Sequence, residues 1–142
     1  KDYAIDYNGN KVIELKNIED SFASAANYLR QIGWDKDSPC FIKVDLQDNI
    51  SKKYLNSSAR DIKNKKKVKF FKKYIKNSSN LEIDENMLSA IITPDKDIIP
   101  GSNRYNPAYL VFNNYEIILS WNRSLRFALA VCTLKDKFKN EI

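Results

Sequence analysis

The 142-residue sequence contains no histidine. That absence removes imidazole acid-base chemistry, histidine-based triads and the usual histidine zinc clusters. Cysteine is nearly as scarce: Cys40 and Cys132 are too few for a disulfide scaffold or a structural zinc site. Cys132 lies among Ala, Val and Leu, so buried free thiols are expected. With only three Gly and few Arg, the chain lacks the Gly and Arg mixed among exposed aromatics that make nucleic-acid binding persuasive. No apolar run approaches roughly 18 residues, so none reads as a membrane span. The chain opens on Lys1-Asp2-Tyr3 with neither an initiator Met nor a signal-peptide pattern, which reads as the start of a fragment.

What is present fits one domain with a modest core: 43% of residues are hydrophobic, and no clear linker or repeat divides them. The formal charge of +6 is unevenly distributed. Arg60 to Lys76 carries nine basic residues and one Asp, a local net of +8 that leaves the rest near −2. Ile62, Val68, Phe71 and Ile75 give this segment an imperfect helical stripe, with lysines over the other faces. Such a segment is a solvated helix face, or a surface attractive to an anionic polymer, nucleic acid or membrane. Sixteen Asn, sixteen Ile and nineteen Lys against five Arg also match AT-rich codon usage, which discounts the lysines as a selected feature.

Four pieces follow from local pattern. Asp6 to Asn17 is a polar loop with a short extended element at Val12 to Leu15. Asn17 can cap a helix whose N3 residue is Asp20 and whose stripe is Phe22, Ala25, Ala26 and Leu29, with Gly33 as its stop and Trp34 folding back. Phe41 to Leu46 alternates as a strand with Ile42, Val44 and Leu46 on one face. A polar link and a short apolar run from Met87 to Ile92 come next, then a loop from Asp95 to Pro107 rich in Asn, Pro, Gly and Ser. Tyr109 to Phe112 and Glu116 to Trp121 read as a β-hairpin closed at Asn113-Asn114-Tyr115. From Leu125, the positions Ala128, Leu129 and Cys132 predict a helix, and Val131 and Leu134 widen its apolar face. So wide a face needs more partners than the first helix offers, which points to pairing between copies or to a missing part of a larger helical domain.

Oxygen-bearing residues fall at positions 1, 3, 5, 9 and 12 of an EF-hand calcium loop as Asp6, Asn8, Asn10, Glu14 and Asn17, with the Val12 carbonyl at position 7. Lys11 stands where the turn wants Gly, and position 12 is a neutral Asn, so the loop is a degenerate one. It either binds calcium or is held by side-chain hydrogen bonds without metal. Among the carboxylates, Glu116 opens an apolar segment, yet an edge carboxylate facing solvent is the plainer reading, and no acid stands out as a general acid.

Asp2-Tyr3-Ala4-Ile5-Asp6 with the calcium-like loop, Ser24-Ala25-Ala26-Asn27-Tyr28-Leu29 ending at Gly33-Trp34, and Trp121-Asn122-Arg123-Ser124 with Phe127-Ala128-Leu129-Ala130-Val131 occur in one order. Together they resemble the C-terminal part of the membrane-bound lytic murein transglycosylase B family, while residues 47–100 match loosely or are inserted. The resemblance implies an α+β, mainly helical, partial lysozyme-like domain with a small β-hairpin and the EF-hand-like loop. It implies cleavage of the bond between N-acetylmuramic acid and N-acetylglucosamine to a 1,6-anhydromuramoyl end. One glutamate serves as acid and then base in that family, upstream of the part covered here, so no catalytic residue is expected in this chain and the fragment alone should be inactive. Carried over by motif, Asn27, Tyr28, Trp121, Asn122 and Phe127 would meet the glycan. Phe127 and Trp121 occupy positions where the family often has Tyr. Each also has a plain structural reading: Tyr28 as a helix contact, Trp121 as core, Asn122 as a cap, Arg123 and Arg126 as solvent-facing.

The resemblance further implies peptidoglycan strands as partner, no nucleic acid, no required cofactor and a bacterial periplasm or envelope location. Two other functions stay open: an inactive peptidoglycan-binding or cell-wall scaffolding relative, and a polyanion-binding module built on residues 60–76.

Overall fold

The computed structural model describes residues 2–94 and 106–141; the expected Asp95 to Pro107 loop falls almost wholly outside them. No linker is visible in the sequence, yet the chain divides into two compact units, Lys1–Ser38 and Pro39–Ile142. The fold is α+β, as expected.

The first unit is the N-terminal loop and helix α1, Ile18–Gln31. Asn17 caps it by accepting the Glu19 N–H at 2.8 Å. Gly33 at φ 99° ends it. There the Trp34 N–H reaches the Leu29 carbonyl at 2.9 Å and the Gly33 N–H that of Arg30 at 3.2 Å, the paired bonds of a Schellman stop. Both ends are therefore local events. The face α1 buries is not the expected one: Phe22 is 73% exposed, whereas Asp20 and Ser24 are buried. The polar side of the helix carries the loop, because it supplies acceptors to a backbone without a ladder of its own. Val12 to Leu15 forms no strand.

The second unit is a five-stranded sheet with helices. Strands β1 (Phe41–Val44), β2 (Leu55–Asn56), β3 (Lys66–Lys67), β4 (Leu88–Ile92) and β5 (Ala108–Val111) are ordered β1-β5-β4-β2, with β3 on β4 as well. β5 lies antiparallel between β1 and β4, setting Phe41 opposite Val111 and Ile91 opposite Leu110. β2 runs parallel to β4 at Ile91 and Ile92, and β3 antiparallel to it at Leu88 and Ser89. Along β4 and β5 nearly every residue is buried, so alternation puts Ile91 and Leu110 on one face and Ala90, Ile92 and Val111 on the other. Val44, Leu46, Val68, Phe71 and Ile75 join the Ile91 and Leu110 side in one core cluster.

The basic segment thus keeps its predicted apolar stripe and loses its predicted helix. Ile62, Val68, Phe71 and Ile75 are all buried, but only Val68–Lys72, α2, is helical, and Lys66–Lys67 pair with β4. Packing against the sheet takes the four apolar side chains without a continuous helix, and it frees the lysines from stacking like charges turn upon turn.

The expected hairpin is also replaced. Residues 113–121 form α3, Asn113–Trp121, and β5 pairs with β1 and β4 instead. An apolar run of this length fits either period, and tertiary packing decides. As a helix it buries Tyr115, Ile117, Ile118 and Leu119. α4, Leu125–Glu141, follows where the sequence placed it, capped by Ser124, whose hydroxyl accepts the Phe127 N–H at 3.2 Å. Tyr115 ties the two helices, donating its hydroxyl to the Leu125 carbonyl at 2.9 Å. Burial pushes its phenol well above the usual range, with Tyr109 adding to the effect. Cys40 and Cys132 are fully buried, as expected, but they are not free: a disulfide joins the residue before β1 to the middle of α4, with Cα atoms 5.8 Å apart.

Candidate functional site

In the first unit, four side chains of α1 organise the loop. The Asp20 carboxylate accepts the Tyr7 N–H at 2.9 Å and the Glu14 N–H at 3.0 Å, clamping both ends of the loop. The bond from Glu14, then that from Tyr7, holds its pKa below the usual 3.8, and burial works against them. Ser24 accepts the Ile5 N–H at 2.9 Å. Asn27 donates to the Tyr3 carbonyl at 3.1 Å and accepts from Arg30 at 3.0 Å. Tyr28 meets the Tyr3 ring edge to face, centroids 4.9 Å apart. Asn27 and Tyr28, both expected at a glycan, thus also brace the N-terminal segment.

The calcium-like loop closes on itself. Asp6 accepts the N–H groups of Gly9 and Lys11, both at 2.7 Å, Asn8 that of Asn10 at 3.0 Å, and Asn10 that of Val12 at 2.8 Å. Lys11 takes the left-handed conformation, φ 69°, that an EF-hand asks of its glycine. The donor set does not fit a calcium cage. Asn17, at the position of the bidentate carboxylate, is neutral and spends its oxygen on the cap of α1. Among the described residues no three His, Cys, Asp or Glu side chains gather where they could hold a metal.

In the second unit, Trp121 and Asn122 end α3 and Phe127 lies in the first turn of α4, so all three fall at the junction of the two helices. Trp121 is the last residue of α3 and Asn122 its C-cap, with its N–H on the Ile118 carbonyl at 3.1 Å and its own carbonyl accepting from Ser124 at 2.7 Å. Asn122 is therefore a cap, though for the helix that ends there, while Ser124 caps the one that begins. Trp121 is 54% exposed and Phe127 42%, so both rings present open faces where a core role would have hidden them. Aromatic faces beside an amide suit the apolar faces and N-acetyl groups of sugars.

A cavity of about 190 Å³ opens on the same α3, lined by Arg60 and Ile62 from one side and Glu116, Leu119, Ser120 and Arg123 from the other. Glu116 is not an edge-strand residue: it sits in the first turn of α3, paired with Lys65 at 2.5 Å. Glu116, Leu119 and Ser120 lie on one face of α3 and Arg123 follows just past its end, a grouping that becomes visible only when the segment is read as a helix.

A family model described as the Transglycosylase SLT domain matches residues 1–136. The structure is similar to that of SltB3 from Pseudomonas aeruginosa in complex with NAG-NAM-pentapeptide, with 26% identity over 97% of this chain and a TM-score of 0.75. It also resembles the catenated lytic transglycosylase SltB1 of the same organism (16%, 99%, TM-score 0.72) and Escherichia coli Slt35 in complex with calcium (18%, 95%, TM-score 0.65). The chain spans 35%, 43% and 39% of those three chains, about a third to two fifths of their length. No curated protein matches it. Among the described residues, no helix is long and apolar enough to cross a membrane.

Proposed function

The chain belongs to the Transglycosylase SLT domain family, and from that premise we propose that it is the C-terminal part of the catalytic domain of a peptidoglycan lytic transglycosylase, close to the membrane-bound B type. The observation that carries this is the likeness over 97% of the chain to SltB3, whose structure holds a glycan bearing a pentapeptide. In the proposed reaction a carboxylic acid protonates the oxygen leaving muramic acid. The C6 hydroxyl of the same sugar then closes on C1 and gives its proton to the carboxylate, so no water is consumed and a 1,6-anhydro end remains.

The residues of this chain hold substrate for that chemistry. Trp121 and Phe127 lay their rings against sugar faces and Asn122 meets an N-acetyl or hydroxyl group; in the first unit, taken by itself, Tyr28 and Asn27 are the residues assigned to the glycan. The acid itself lies outside these residues. Glu116 and Glu85 are each committed to a lysine, at 2.5 Å, and neither stands at the corner. The proposed steps call on no metal; Asp6, Asn8, Asn10, Val12, Glu14 and Asn17 are given the role of closing the loop. The site of action is the bacterial periplasm or envelope, where the peptidoglycan is.

Retention on purified sacculi tests the reading. The 142-residue chain should be retained in high salt and release no muropeptide by itself, while the protein containing it releases 1,6-anhydro ends. Trp121→Ala, at an exposed ring, should keep the melting temperature and weaken retention roughly tenfold, the scale of an interfacial tryptophan. Unchanged retention would remove the glycan role of the corner, and retention lost to salt and shared with heparin would favour a polyanion-binding module instead.

A further inference from the structure

The cavity beside α3 has a lining distinct from Trp121, Asn122 and Phe127. Its charges are unevenly satisfied. Glu116 is held by Lys65, and Asp61 at the rim pairs with Lys63 at 3.8 Å. Arg60 and Arg123, facing the same space from two segments 63 residues apart in sequence, have no acidic partner among the described residues. With Glu116 held by Lys65 and Asp61 in an exposed, solvent-screened contact with Lys63, two guanidiniums without a described acidic partner suit a carboxylate, which each can grip with two parallel N–H bonds. The Ser120 hydroxyl gives its proton to the Ile117 carbonyl at 2.7 Å and so offers its oxygen as an acceptor, and Ile62 with Leu119 supplies an apolar floor.

The walls are fixed. Arg60 and Ile62 lie on a loop that the buried Asn56 clamps by accepting the Lys63 N–H at 2.8 Å and donating to the Lys63 carbonyl at 3.1 Å and the Ile91 carbonyl at 2.9 Å. Arg123 follows the end of α3, whose Tyr115 is anchored to α4. At about 190 Å³ the space falls short of the roughly 300–1,000 Å³ of pockets that enclose larger ligands. It suits one small residue and its carboxylate, and excludes a disaccharide.

We infer that this cavity binds the terminal carboxylate of a short peptide ending in a small apolar residue, with Arg60 and Arg123 on the carboxylate, Ser120 on the preceding amide and Ile62 and Leu119 under the side chain. This rests on the proposed function, since peptide-bearing peptidoglycan would supply such termini, and it gives the chain a second hold on the substrate, on the peptide and apart from the sugar.

The test is titration of the 142-residue chain with acetyl-Ala-Ala, in D and L forms, followed by amide NMR shifts at Ile62 and Ser120. The peptide acid should bind and its carboxamide should not, with affinity falling as salt rises. Arg60→Gln and Arg123→Gln, both at exposed side chains, should keep the native spectrum and each weaken binding roughly tenfold, the size of one charge-assisted bond. Arg123→Lys should recover part of the loss, because charge returns without the planar fork. Equal binding of acid and amide, an equal response to acetate alone, or full binding in both glutamine variants would overturn the assignment. Retention of the unaltered chain on sacculi is read separately. Its failure with peptide binding intact counts against the peptidoglycan reading alone, and intact retention with no peptide binding counts against the cavity alone.

Discussion

Reducing the bond between Cys40 and Cys132 should destabilise the second unit more than any single surface change. The bond closes a loop of 92 residues. Chain-entropy arithmetic for that length puts the tether at about 4.6 kcal/mol at 25 °C, and bridges of this kind commonly deliver about 2–4 kcal/mol. Both sulfurs are fully buried, and reduced thiols still fill that space as small hydrophobes. Reduction therefore removes the tether and leaves the packing nearly intact, whereas a double Ala variant adds the loss of packed atoms. For a domain of about 100 residues, roughly 4–8 °C of melting temperature goes with each kcal/mol. Thermal unfolding followed by circular dichroism should thus fall by at least about 10 °C with phosphine reductant, and somewhat further in Cys40→Ala/Cys132→Ala. Thiol labelling in denaturant without reductant should modify neither cysteine. Labelling of both, or a melting temperature indifferent to reductant, would refute the tether and restore two buried thiols.

The first unit should be acid-sensitive at Asp20. Its folded pKa lies below 3.8, so its contribution is complete above about pH 4 and is lost as pH falls through the lower folded value. Amide exchange at Tyr7 and Glu14 should rise in that window, and Asp20→Asn should raise it at neutral pH; protection that ignores both would show that the clamp does not hold the loop. At the other end of the scale, Tyr115→Phe should cost about 1 kcal/mol by stranding the Leu125 carbonyl. Because burial raises its pKa above 10.0, the wild type should also lose stability as pH climbs past 10, where the unfolded chain ionises first. The Phe variant should lose less over that range, as measured by denaturant midpoints.

The legible parts of this protein were those settled by a few neighbouring residues. Asn17 as cap, Gly33 and Trp34 as stop, and the burial of Val44 and Leu46 follow from hydrogen-bond supply and period-two alternation within a handful of positions. The stripe Ile62, Val68, Phe71 and Ile75 was also visible, because apolar side chains must be buried whatever backbone carries them. The backbone itself was not: helix over 60–76 gave way to a short strand and α2 once β4 offered hydrogen bonds. At 113–121 the apolar run satisfies two periods equally, and only the helical one puts Glu116, Leu119 and Ser120 on one face, with Arg123 just past its end.

Sequence alone determined the exclusion of histidine chemistry, the basic segment, the caps of α1 and the family motifs at both ends of the chain. Tertiary structure alone decided that Cys40 finds Cys132, that Asp20 and not Phe22 faces the loop, that Trp121 and Phe127 are left exposed, and that Arg60 and Arg123 line one cavity. The reason is the range of the interactions. Capping and alternation are settled within a few residues, whereas a disulfide across 92 positions or a pair of arginines from separate segments exists only after the sheet has fixed where each segment lies.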